Sequence, residues 1–235
     1  MFSFCSILTL SLAIAVPLPE NFPDTATRES VGTTRKDILH RLEKIAVQSG
    51  ESENKGNDLR DRVCEAAKLL SSEKALPGEF AAPNLGNEQE RNQFKSQLGE
   101  IQKNAALMQF QLDRALEELD LLQDRRDKET KSWQGNYDYV RARLAARIAQ
   151  LYEYNLKLGQ MRKEFPPLDP MIHTGWRLAT GGTVSDRDSG KYAEKAKSYL
   201  NKLLESQAGT GWERIAKEEL PLLGIGLEWV PVSRK

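Results

Sequence analysis

Only two of the 235 residues are histidines, His40 and His173. Neither sits in an HExxH or HxxxH spacing that would set two metal ligands on one helix face. His40 stands beside Arg41 on the polar side of a predicted helix, the ordinary place of a surface histidine. His173 precedes Trp176 by three residues, where it reads either as a loop hydrogen-bonder or as part of a binding pocket. Asp186-Arg187-Asp188-Ser189-Gly190 has the opening of a calcium loop, but it lacks a third acidic ligand and has Lys197 at position twelve. A polar turn in which Asp188 or Ser189 caps the next helix accounts for the same residues. Glu117-Glu118 falls on an outer helix face, and the chain has no GxxxxGK[ST], GxGxxG or GxSxG run. These residues assign no catalytic group, metal or cofactor. The binding candidates are Trp176, His173, Tyr192 and Trp212. The expected function is a non-catalytic scaffold or interaction module. The alternative is a metal-binding or hydrolytic protein built on His173, Asp186 and Asp188.

The elements that would position these residues are helical. Phe94, Leu98, Ile101, Ala105, Met108, Leu112, Ala115, Leu119 and Leu122 recur at steps of four and three. This is one apolar stripe, roughly 40 Å long at helical rise, and it needs a partner in water. Trp133, Tyr137, Val140, Leu144, Ile148, Leu151, Asn155 and Leu158 form a second stripe, with Asn155 as a polar register-setter. Asp127–Ser132 is wholly polar and predicts the turn between them, Thr130 or Ser132 capping the return. One continuous helix is the alternative. Pro166-Pro167 must stop the second helix by Glu164.

The fold class expected is all-α: a long antiparallel, coiled-coil-like hairpin over 87–165, short helices and a loop over 34–86, and a docked C-terminal unit over 166–235. Asn87 and Asp58 are predicted caps. Leu76–Gly86 and Leu168–Asp188, rich in Pro and Gly, read as irregular, with Trp176 anchored on the hairpin. Two helices follow, from Ser189 and from Trp212. Alanines at their crossing positions make a tetratricopeptide-like pair, which is too small to stand alone. Leu222–Val230 is expected as a buried extended tail. If these surfaces paired between chains instead, the result would be a homodimer through the helical seam.

Lys plus Arg and Asp plus Glu each number 34, so the balanced charge gives no footprint for nucleic acid. Met1–Val16 ends in Ala13-Ile14-Ala15, the small-x-small pattern of a secretory signal, without a basic residue ahead of its apolar core. It is short for a membrane span. Export to the periplasm or cell envelope is the expectation; as the remnant of a buried strand, the same segment would belong to a cytoplasmic protein. A proline-bearing linker follows over 17–33. Cys5 lies in the apolar run, leaving Cys64 as a buried structural thiol.

Trp133-Gln134-Gly135-Asn136-Tyr137-Asp138-Tyr139-Val140, Ala145–Ala149, Tyr152–Asn155, Leu158-Gly159-Gln160, Gly175–Leu178, Gly209–Trp212 and Leu223–Trp229 together form a pattern. It resembles the C-terminal region of planctomycete-type bacterial proteins that carry a von Willebrand factor A domain upstream. The segment from Val16 to Phe22 resembles the junction after that domain. The chain has no Asp-x-Ser-x-Ser, so metal-dependent adhesion does not carry over. Gly135 stands where the resemblance implies Ala, and Gly211 where it implies Pro; both are expected to loosen their helix starts.

Overall fold

The two apolar stripes meet face to face. In the computed structural model, which describes residues 35–48, 58–72, 76–181 and 183–234, the elements run in a simple order. Helices α1 (Arg35–Val47) and α2 (Asp58–Ser72) precede a short strand β1 (Glu79–Ala81) and the long helix α3 (Glu88–Asp120). One helical turn, α4 (Gln123–Arg126), leads into α5 (Lys131–Lys163). Then come β2 (His173–Thr180), α6 (Arg187–Ser206), α7 (Gly211–Glu219), a 3₁₀ turn at Leu220–Leu222 and β3 (Leu227–Ser233). The expected signal segment and linker, Cys5 and the polar loop over 51–57 lie outside the described residues. Among the described residues no helix is long and apolar enough to cross a membrane.

Local chemistry explains the helix ends. Asn87 Oδ1 accepts from the backbone N–H of Gln89 at 3.0 Å, while its Nδ2 donates to Glu90 Oε1 at 2.9 Å, a reciprocal cap. Thr130 occupies the N-cap of α5, and Pro166-Pro167 leave Lys163 as its last residue. The hairpin therefore turns: α3 ends at Asp120, and the continuous-helix alternative is excluded.

Leu98, Ala105, Leu112 and Leu119 of α3 pack against α5, whose Tyr137, Val140, Leu144, Ile148, Leu151 and Leu158 are buried. Near Asn155 the register is tied by Gln102, whose Nε2 donates to the Asn155 carbonyl at 2.9 Å. The seam between α3 and α5 is filled within one chain. Nor does α5 pack on α3 alone. Ala142, Ala145, Ala146 and Ala149 let α6 approach through Ala193 and Ala196, while α2 and β3 cover further sides. The helix pair α6–α7 docks on α5 as expected, with Asp186, rather than Asp188 or Ser189, capping α6.

The largest correction is a three-stranded antiparallel sheet, order β1-β2-β3, in segments expected to be irregular or a simple tail. Phe80 pairs with Trp176, and Trp176 with Pro231. Gly175 is required here, because a Cβ would lie 2.1 Å from the Phe80 carbonyl oxygen. The glycines that read as loop punctuation thus allow close strand approach. The sheet brings Phe80, Trp176 and Trp229 over the open end of the hairpin, where Trp176 meets Phe94 and Phe165.

Leu112 and Ile148 are both fully buried, so changing either to Ala should cost about 2–5 kcal/mol in urea-monitored unfolding. Melting indistinguishable from the parent would mean the stripes are not paired as described. A fragment over 168–235 loses both α5 and β1 and should show no cooperative melt by circular dichroism.

Candidate functional site

The four binding candidates are dispersed. Trp176 is fully buried, and its Nε1 donates to the Pro166 carbonyl at 3.2 Å, so it anchors the sheet and faces no solvent. His173 opens β2, its Nδ1 accepting from the Asp169 N–H at 3.3 Å. Tyr192 stacks on Tyr152 with ring centroids 5.7 Å apart, beneath the Lys195 ammonium. Burial pushes its hydroxyl above the ordinary tyrosine value, and a hydrogen bond with Asp113 adds to the shift. Trp212 lies on Tyr139 and fills the space above Gly135, where a Cβ would come within 2.3 Å of its indole nitrogen. Gly135 therefore seats a tryptophan, a more specific role than the loosened helix start expected of it.

Asp186 and Asp188 are held in local structure. Asp186 Oδ1 accepts from the N–H groups of Asp188 and Ser189 at 2.8 and 2.9 Å. Asp188 accepts from Lys191 Nζ at 2.6 Å, a hydrogen bond that holds its carboxyl below the usual range. His173 sits at the other end of β2 from this loop, roughly 23 Å from Thr180 at about 3.3 Å per strand residue. The three side chains of the metal or hydrolase alternative do not converge. Among the described residues no group of three or more His, Cys, Asp or Glu could hold a metal ion.

The charges that do converge lie inside the protein. Arg126 bonds bidentately to the fully buried Asp138 and donates to Ser206 Oγ at 3.0 Å, joining α4, α5 and α6. Arg141 bonds Asp120 and donates to Tyr199 at 3.0 Å, its guanidinium 4.1 Å from the Tyr199 ring centroid. Glu219 accepts from Arg41 at 2.7 Å, from the Tyr139 hydroxyl at 2.9 Å and from Arg143 at 3.4 Å. Burial pushes the Tyr139 hydroxyl upward, and the Glu219 charge adds to it. Glu153 accepts the backbone N–H groups of Ser185 and Asp186, both at 2.7 Å. Each set joins elements of the fold, and none faces an open cleft.

A surface groove of about 590 Å³ lies between α2 and α3. Ala66 and Leu69 form one wall, with Leu107, Phe110 and Ala115 on the other. Charged pairs line its edges, Arg62 with Glu65 at 2.7 Å and with Glu118 at 3.4 Å. Leu107 and Phe110 are 56% and 59% exposed, and Leu121, just past the end of α3, is 84% exposed. Sequence reasoning missed these residues, although their signal was present. Glu100, Lys103, Leu107, Phe110, Arg114, Glu117 and Leu121 repeat at steps of three and four on the face opposite the seam.

Set against protein-family models, characterised proteins and solved structures, the chain matches none of them.

Asp138→Ala leaves the buried Arg126 guanidinium with only the solvent-exposed Asp127 carboxylate, at 2.8 Å, and should cost up to about 3–5 kcal/mol. Replacing both partners with apolar residues of similar volume should recover much of that loss. Equal destabilisation by the single and double changes would show that the ion pair is not what links α4 to α5.

Proposed function

We propose that the chain is a non-catalytic interaction module whose α2–α3 face receives an amphipathic helix from a partner protein. The observation that carries this reading is the two-sided character of α3. Its inner heptad stripe is filled by α5, while its outer stripe presents Leu107 and Phe110 to solvent beside an apolar groove, with exposed Leu121 just past its end. A groove flanked by two helices fits a third helix with apolar residues at i, i+3, i+4 and i+7. Interleaved charges of both signs along the edge favour a partner that is itself polar on its other face.

The envelope setting is part of the same proposal. It rests on the secretory reading of Met1–Val16 and on the resemblance to bacterial proteins with a von Willebrand factor A domain. On the remnant reading of that segment the module would act in the cytoplasm.

Phe110→Asp combined with Leu107→Asp changes two exposed residues and should leave the melting temperature within a few degrees of the parent. The same variant should lose a partner that the parent recovers at stoichiometric amounts by affinity capture. Retention of that partner by the variant would remove the groove from the binding surface.

A further inference from the structure

Helix α1 is held differently from the rest of the fold. It packs on α2 through Leu42 and Ile45, with Ile38 and Ala46 partly buried beside them. Its polar ties run to distant parts of the chain. Arg41 Nη1 donates to Glu219 Oε1 at 2.7 Å, and Asn136 Nδ2 donates to Gln48 Oε1, just past the helix, at 2.9 Å. On its inner side the Cys64 thiol of α2 donates to the Ile45 carbonyl at 3.2 Å. A 13-residue helix is marginal by itself in water, so α1 depends on this docking.

Among the described residues, detaching α1 strands no buried charge. Glu219 is 2% exposed, yet it keeps the Tyr139 hydroxyl and the Arg143 guanidinium when Arg41 leaves. Arg41 is already 22% exposed and passes directly to water. The Cys64 thiol gives up one weak hydrogen bond, and Gln48 and Asn136 are neutral amides that water satisfies. By contrast, pulling α4 from α5 would separate Arg126 from the fully buried Asp138. Elements with few buried apolar groups and replaceable polar ties open at lower free energy than the global fold.

We propose that α1 is a strap that leaves α2 while the hairpin, sheet and α6 remain folded, and that the Arg41–Glu219 clasp sets how often it does so. Release bares the α2 surface around Cys64, a second apolar helix face distinct from the groove beside α3. The strap stands independently of the groove reading, since it rests on neither Leu107 nor Phe110.

Cys64 reports the opening directly. Full-length protein treated with N-ethylmaleimide and read by peptide mass spectrometry separates Cys64 from Cys5. In the parent, the Cys64 rate should vary little with urea below the global transition, the mark of a small local opening. Arg41→Ala should raise that rate about tenfold or more, as expected for losing a hydrogen bond to a buried carboxylate. Arg162→Ala, which removes the 2.8 Å bond to Gln102 between α3 and α5, should leave it unchanged. A Cys64 rate in the parent with the same urea dependence as global unfolding would overturn the strap, because α1 would then leave only with the whole fold. So would an Arg41→Ala rate equal to that of the parent. Should Arg41→Ala not fold, the urea dependence of the parent decides the question by itself.

Discussion

Between Gln134 and Leu158 helix α5 has no exposed residue, and this constraint organises the molecule. A helix covered all round still carries polar residues, and each charge removed from water needs a partner of matching geometry. Asp138 takes Arg126 from α4, Arg141 takes Asp120 from α3, and Tyr139 donates to Glu219 at the end of α7. Because the partners come from different elements, satisfying α5 also fixes where those elements lie. The apolar contacts supply most of the burial. The ionic contacts restrict which arrangement of helices the burial can adopt, since a shifted helix would leave a buried charge unpaired.

Close approach is the second constraint, and small residues carry it. Four alanines on α5 and two on α6 let these helices pack tightly side by side. Gly135 opens a socket for Trp212, and Gly175 lets β2 run against the Phe80 carbonyl. In each case a missing Cβ determines where a large aromatic or a neighbouring backbone sits. The aromatic cluster of Phe80, Phe94, Phe165, Trp176 and Trp229 then closes the end of the hairpin with the sheet.

The outer parts obey different rules. On α3 the same heptad spacing occurs on both faces, but among the described residues only the inner stripe is buried against a partner helix. The outer stripe mixes Leu107, Phe110 and Leu121 with Glu100, Lys103, Arg114 and Glu117, a composition that tolerates water and still offers anchors. Helix α1 stands at the opposite extreme from α5. Its apolar contacts are with α2 and its polar ties run to α5 and α7, and its tie to the buried Glu219 leaves that carboxylate with two other donors.

Helical class, the two facing stripes, the Asn87 cap and the stop at Pro166-Pro167 were all determined by local sequence. Each depends on residues within one or two helical turns, where periodicity, caps and proline geometry act directly. The outer stripe of α3 was equally legible at that range and identifies the groove wall, whereas Ala66 and Leu69 on the facing wall needed α2 to be placed. The sheet was decided by tertiary structure: β1 (79–81), β2 (173–180) and β3 (227–233) come from widely separated segments, and Gly175 reads as a loop residue until Phe80 lies across it. The same holds for the scattering of His173, Trp176, Tyr192 and Trp212, which spacing along the chain could not foretell. Which charge pairs with which was likewise settled in three dimensions, because Tyr139 and Glu219 are 80 residues apart. Sequence spacing governs what a helix face contains; only packing brings two distant faces together and decides which polar groups lose their water.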